Sequence, residues 1–519
     1  MSGDGFQDDR PFRTICRNVA TRYLSVAAEM IIGLITLPFN LGHLGTEAYG
    51  LWMLTAGVTI HFSILDLGYN GAMVKFIAQY RAHRNARALN EIASTLFFLF
   101  AGFGVLAYLV VIGLAFNLEH VFRINHAQAE IGKWILLIIG VNVAINFPFS
   151  VYGGVSSGFQ RYDINNLVAI VSNLLVAAVN IAVVLAGYGL IPLVAATTVV
   201  RVLTYFVYRR NAYSVFPALR IRPALVRRSR LREVTGFSVY SSIIDWANKL
   251  NYELDEVVIG IFLGAAPVAV WAVADRIISG TQRLTNQGNA VLFPVVVDSD
   301  ATQRTGRLQT VLLEGTRLSL ATVVPIALVL VVLAEPLIRA WIRKPEILVA
   351  APIIQVLAFA VALRVGNATS TTLLKGAGQV RQVAMVNIGT GVVNLALSAA
   401  LIKPFGLIGV AIGTLIPVAF SSIFVLFPAA CRRVDVPVLR AFRQAVWPAA
   451  WPALIVGLIL FAARGIAPDG LKFVVVEAAA AGLLYLALFV AAVGRHDRQH
   501  YAAKLWELAG RKGDLAPAT

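Results

Sequence analysis

Residues 255–277 read DEVVIGIFLGAAPVAVWAVADRI. Two carboxylates open the stretch and an Asp-Arg pair closes it. Between them lies only apolar sequence, broken once at Leu-Gly-Ala-Ala-Pro. A helix on the surface of a soluble protein carries polar residues along its whole outer face. This stretch reads instead as the apex of a membrane hairpin, with its charges far down the two legs. Its centre, LGAAPVAVW (263–271), echoes LGTEAYGLW (44–52) at an offset of 219 residues. The charges in the oil and the echo are what the rest of the chain has to account for.

The composition answers the first question. Of 519 residues, 58% are hydrophobic and only 14% charged, with a mean hydropathy of +0.75. A soluble domain of this length needs far more charge on its surface. Apolar runs of about 20 residues, the length that crosses a hydrocarbon core, recur from end to end. The expected fold class is therefore all-α integral membrane. The first 18 residues, MSGDGFQDDRPFRTICRN, lack the apolar core and small-residue cleavage site of a signal peptide, so the first apolar helix is expected to act as its own insertion signal. Cys16 and Cys431 are too few and too far apart for a disulfide framework or a metal site and read as lone thiols.

Apolar runs between polar breaks give about 14 spans, near 20–43, 48–69, 92–116, 132–154, 166–186, 189–208, 236–263, 268–296, 316–334, 349–373, 382–402, 405–427, 447–463 and 473–494. The N-terminus and the loops after even-numbered spans hold 29 of the 44 lysines and arginines, including eight arginines between 209 and 232. By the positive-inside rule both chain ends and these basic loops face the cytoplasm. The net charge of +17 then reads as topology and contact with anionic lipid rather than as a nucleic-acid surface. The expected organisation is a cytoplasmic N-terminus (1–18), an N-terminal six-helix bundle (19–208), a basic cytoplasmic linker (209–235) and a C-terminal six-helix bundle (236–430). A linker with an extra helix pair (431–494) and a cytoplasmic tail (495–519) follow, and the stretch RHDRQHYAAKLWELAGRK in that tail suits either an amphipathic surface helix or a solvated end.

Nothing in the chain reads as an enzyme. There is no G-x-x-x-x-G-K-[ST] phosphate loop, the longest connection is too short for a domain, and no Ser/His/Asp or Cys/His arrangement stands out. A membrane-embedded transferase would need a polar catalytic loop at the interface, and none is evident. No cofactor or metal is expected. The sequon Asn367-Ala-Thr369 falls within a predicted span and reads as chance.

The echo extends beyond its two nonapeptides. Leu44, Gly45 and Trp52 recur as Leu263, Gly264 and Trp271. Gln160 recurs as Gln379, Asn173 and Asn180 as Asn387 and Asn394, and Gly189-Leu190-Ile191 as Gly406-Leu407-Ile408, all at offsets of 214 to 219. The unit is six spans. An even number preserves orientation, so the halves are parallel repeats, an architecture of transporters that open a central site to either side in turn.

Ionisable side chains in hydrocarbon normally face a cavity or a partner. Asp245, Lys249, Tyr252 and Glu256 follow helical spacing on one face of the seventh span, and Arg276, Ser279 and Arg283 on the eighth. At a rise near 1.5 Å per residue, Glu256 and Arg276 lie roughly 10–14 Å below the outer turn and Lys249 and Arg283 about 21–24 Å, so the stripes are expected to meet across the hairpin. Arg364 aligns with Asn367, Thr371 and Lys375 on the tenth span, Arg201 lies mid-way along the sixth, and Arg22 and Glu29 lie on the first. Arg22, Asp66 and Lys375 are shallow enough to snorkel, and Asp245–Lys249 is spaced to neutralise itself. Arg276, Arg283, Lys249, Arg364 and Arg201 are the candidate substrate-binding cations, because guanidinium matches phosphate oxygens in bidentate fashion. Asp245, Asp255, Glu256 and Glu29 are candidates for ion or proton coupling.

LGTEAYGLW followed by SILDLGYNGAMVKFIAQ resembles the N-terminal signature of the polysaccharide-export flippases of the multidrug/oligosaccharidyl-lipid/polysaccharide exporter superfamily. So does the D-x-x-x-x-G-x-x-x-G pattern beginning at Asp255, followed by Trp271 and Ala274-Asp275-Arg276-Ile277. Trp271 stands where the family more often has Tyr. The resemblance spans nearly the whole chain and implies translocation of an undecaprenyl-diphosphate-linked oligosaccharide across a bacterial inner membrane, alongside polymerase and export machinery, for O-antigen, capsule or exopolysaccharide. Its glycines imply packing rather than binding. Two alternatives share the fold: a cation-coupled multidrug antiporter, expected to favour carboxylates over arginines, and a peptidoglycan-precursor flippase.

Overall fold

The structure is a computed structural model and describes residues 11–66, 68–235, 238, 254–464 and 470–493. The described residues are mostly helical, with no strand among them. The principal helices are α1 (Pro11–Leu44), α2 (Thr46–Ile60), α3 (Tyr69–Ala82), α4 (Ala86–Phe116), α5 (His126–Gly158), α6 (Tyr162–Leu185) and α7 (Leu190–Val215). They continue as α8 (Asp255–Leu263), α9 (Ala265–Ala301), α10 (Thr305–Trp341), α11 (Ala350–Gly366), α12 (Ala368–Gly376), α13 (Val380–Phe420), α14 (Trp447–Ala463) and α15 (Leu471–Ala492).

Ten described stretches are long and apolar enough to cross a bilayer. One of them, Val380–Arg433, holds two of the predicted spans, because Gly406 (φ 58°, ψ −140°) interrupts α13 where the sequence places the turn. The eighth predicted span is α9, and the seventh is described only at its outer end, as α8. The second differs from expectation. It is not one helix over 48–69: α2 stops at Ile60, a 3-10 segment covers His61–Asp66, and Gly68 (φ 71°) turns the chain into α3. Asp66 helps to start that helix, its Oδ1 accepting from the Asn70 amide at 3.2 Å. Elsewhere the ends are set by local chemistry. The Asn85 side chain caps α4 by accepting from the Ala88 amide, and Asn125 with Gln128 forms a reciprocal capping box on α5.

Contacts divide the chain into two compact units. The first comprises Met1–Arg276 with Asn387–Gly413. Its core is aromatic: Tyr69, Phe100, Phe103 and Phe147 interlock at centroid distances of 6.3–6.4 Å between α3, α4 and α5. At the basic end, Arg17 pairs with Asp163 at 3.0 Å while Asn18 donates to the Gln160 carbonyl and accepts from the Asp163 amide, fastening α1 to α6. The second unit comprises Ile277–Val386 with Thr414–Thr519. In it the extra pair α14 and α15 packs on α10 through Val332, Leu333, Val456, Leu460 and Phe489. Tyr485 is fully buried in that pair and donates its hydroxyl to the Ala449 carbonyl at 2.9 Å.

The basic linker is not a loose loop. Its backbone is stitched to the first turns of α4. Asn90 donates to the Ala218 carbonyl and accepts from the Arg220 amide, both at 2.9 Å. Ser94 bonds the Arg220 carbonyl and the Arg222 amide, and Thr95 accepts from the Arg227 amide. Arg230 closes the seam, reaching buried Glu91 at 3.2 Å, Glu233 at 3.1 Å and the Tyr80 hydroxyl at 2.8 Å. Burial, then donation to Glu233, pushes the Tyr80 phenol up to about 12, so it stays protonated in this seam.

Candidate functional site

The opening stretch folds into two helices, α8 and α9, that meet at Gly264, and the echo is a shared way of ending a helix. Gly45 closes α1 at φ 83° and Gly264 closes α8 at φ 90°. Both are left-handed, a region that an L side chain enters only under strain. Gly264 is additionally pressed against the Arg123 carbonyl, leaving no room for a Cβ. The same short connection docks onto the end of α8: the Arg123 amide and guanidinium donate to the Gly260 and Phe262 carbonyls, each at 3.3 Å. Gly50 on α2 lies against the Ala265 carbonyl, and Trp271 is buried. Gly264 and Trp271 of the second echo are packed, whereas Gly45 of the first has open space around it and serves the turn alone.

Inside this frame two charges rest on glycines. The Arg276 guanidinium lies across Gly33 of α1, where any side chain would overlap it, and its Nη2 donates to the Glu29 carbonyl at 3.5 Å. The Glu256 carboxylate lies in the same manner on Gly57 of α2. Tyr49 of α2 is buried and lies in the electrostatic reach of both charges. It meets the Trp52 ring edge-on at 6.1 Å. Counted from the glycine turns, Gly33, Gly57 and Arg276 each lie about 16 Å into their helices, and Glu256 about 10 Å. Arg276 is deeper than the expected 10–14 Å because α9 begins at Ala265 rather than 268. In a hydrocarbon core of ~30 Å such a depth lies near the middle, where a charge needs a polar surround.

The other candidates distribute as follows. Glu29 belongs to this cluster through its carbonyl, and Asp255 opens α8 half-buried beside Glu256. Arg201 is exposed on α7 within reach of Tyr205 and Tyr208. Asp245 and Lys249 lie outside the described residues. Arg283, exposed on α9, and Arg364, half-buried at the end of α11, belong to the second unit. There Arg364 precedes a helix break at Asn367, beside a buried polar layer in which the Ser319 and Thr369 hydroxyls meet at 3.3 Å. Asn367 itself is buried in that break. Sequence reasoning missed Gly33, Gly57 and Tyr49 in the first unit, and buried Arg317 in the second. For Arg317 the signal was present, an arginine at the second position of a predicted span.

The family model described as polysaccharide biosynthesis protein matches residues 44–344, more than half of the chain and including both echoed motifs. The chain belongs to the polysaccharide biosynthesis protein family. Among curated proteins this family member is similar to "Probable flippase AglR" of Haloferax volcanii, 20% identical over 418 residues that cover 79% of this chain and 82% of that protein. Its fold is that of the lipid II flippase MurJ in an inward closed conformation, with a TM-score of 0.71 at 14% identity over 95% of this chain and 99% of that one. It is also that of an inward-facing multidrug resistance MATE transporter, with a TM-score of 0.62 at 17% identity over 78% of this chain and 98% of that one.

Proposed function

We propose that this polysaccharide biosynthesis protein is a flippase that carries an undecaprenyl-diphosphate-linked oligosaccharide repeat unit across the bacterial inner membrane by alternating access, with both chain ends cytoplasmic. The observation that carries the reading is Arg276, a guanidinium held at mid-depth on a glycine of another helix, with a backbone carbonyl as its polar support. A diphosphate headgroup crossing hydrocarbon needs fixed positive charge along its path, and guanidinium offers planar, paired donors to it. Exposed Arg201, in the same unit as Arg276, is a candidate to extend that path, and the polyprenyl tail stays in lipid throughout. Family membership supports a glycan cargo, and the flippase relative supports a lipid-linked one.

The carboxylates favour a second reading. Glu256 and Asp255 open one helix at the edge of the same cluster, and the likeness to a MATE transporter fits a cation-coupled antiporter. Proteoliposomes carrying fluorescent polyprenyl-diphosphate oligosaccharide separate the two. Movement between leaflets that falls at least tenfold in Arg276→Ala and is partly restored in Arg276→Lys is the expected result. Movement retained in full removes Arg276 from the cargo path. Absence of movement, with uptake of a cationic dye driven by an ion gradient, establishes the antiporter instead.

A further inference from the structure

The seam between the linker and α4 has an outer face. Arg220, Arg222, Arg228 and Arg232 point out of it exposed, and among the described residues no carboxylate pairs with any of them. The acids of this region, Glu91 and Glu233, are already taken by Arg230. Exposed apolar residues alternate with these arginines: Pro217, Pro223, Ala224 and Val226, the last 41% exposed. Two helices fix how deep this face lies. On α4 the outward apolar band begins at Phe98, one turn beyond the Ser94 and Thr95 contacts. On α7 it ends at Phe206 and Val207, immediately before exposed Arg209 and Arg210. The docked segment therefore runs within about 10 Å of the edge of the lipid-facing surface.

We propose that the segment 216–232 is a preformed membrane-surface platform that binds the headgroups of anionic phospholipids. Unpaired guanidinium groups at that height face lipid phosphates directly, and the proline, alanine and valine side chains between them suit the boundary between headgroup and acyl chain. A nucleic acid or an acidic protein would supply the charge but has no use for the apolar residues at the membrane edge. Because Asn90, Ser94 and Thr95 already hold the backbone, binding orders little new chain and loses little to entropy. The proposal is independent of the cargo, and the orientation of the chain decides only which leaflet is bound.

The test is lipid binding to the full chain in detergent, titrated with phosphatidylglycerol and with phosphatidylcholine and read by native mass spectrometry at low and high salt. Near a membrane surface each arginine contributes roughly fivefold in affinity. A preference for phosphatidylglycerol of tenfold or more is expected, weakening at high salt. It is expected to fall to within about twofold when Arg220, Arg222, Arg228 and Arg232 are all changed to Gln, with phosphatidylcholine binding and the thermal midpoint unchanged. Asn90→Ala keeps every charge but frees the backbone, and an intermediate preference is expected. A preference untouched by the four changes overturns the platform. Full preference in Asn90→Ala reduces it to charge alone. Retention on an oligonucleotide column that is lost in the same variant, with no lipid preference, assigns the face to nucleic acid.

Discussion

Arg276 and Glu256 share a device: each long charged side chain lies on a glycine of a different helix, so the glycine fixes where the charge sits. The atoms that a new methyl group would meet at Gly33 belong to the tip of the arginine and not to backbone. Gly33→Ala therefore displaces the guanidinium at little cost to folding, and the helix itself gains about 1 kcal/mol from the exchange. Transport in proteoliposomes is expected to fall about tenfold or more while the thermal midpoint holds or rises. Gly57→Ala is expected to move the Glu256 carboxylate in the same way and to alter ion dependence if that carboxylate couples transport. Gly42→Ala on the same helix as Gly33 meets nothing within 4 Å and should leave transport unchanged. Loss of transport in all three would mean that flexibility of α1 and α2, and not charge placement, is what the glycines supply. The charged members of this cluster were legible in the sequence, because a charge in an apolar run stands out and helical rise gives its depth. Their glycine supports were not. A glycine becomes a shelf only through the helix that crosses it, and Gly33 and Arg276 are far apart in the chain.

Among the elements, the glycine turns separate two contributions to stability that usually come mixed. Gly264 and Gly187 both hold left-handed φ, 90° and 78°, but only Gly264 is pressed on backbone, at the Arg123 carbonyl. Gly187→Ala should cost the strain of the left-handed conformation, about 1–2 kcal/mol. Gly264→Ala should cost that and also the Arg123 contacts that hold the end of α8, lowering the midpoint in detergent clearly further and reducing transport. Equal losses in the two variants would show that the Arg123 dock contributes nothing. Among the described residues most span positions were legible in the apolar runs, because a bilayer imposes length and composition on whatever crosses it. The places where reading fell short are those governed by partners distant in sequence. The second span ends early at Ile60, since the run of apolar residues continues through a 3-10 turn that hydropathy does not register. The order of the basic linker was not legible, because it resides in Asn90, Ser94 and Thr95, over 120 residues earlier, where three polar residues near a span's start look like ordinary solvation.

At the scale of the whole molecule, the family match ends at residue 344, before α14 and α15 begin. The two last helices also lie outside the internal repeat. They pack on α10 through aliphatic side chains, and among the described residues the ion pair that ties them to that helix is the Arg464 guanidinium on Glu335 at 2.8 Å. Glu335 keeps a second partner in Arg339 at 2.7 Å. In a membrane, lipid tails are as apolar as the face these helices cover, so removing them forfeits packing but not a hydrophobic driving force. In detergent micelles the uncovered face of Val332 and Leu333 has no such matched solvent. A chain ending at residue 440 is therefore expected to insert and to flip cargo in proteoliposomes at a rate within severalfold of the full chain, while its midpoint in detergent drops. Tyr485→Phe, which removes only the hydroxyl donated to the Ala449 carbonyl, should cost about 1 kcal/mol in detergent and leave transport intact. If the shortened chain inserts with unchanged yield but flips nothing, the last two helices belong to the transport path.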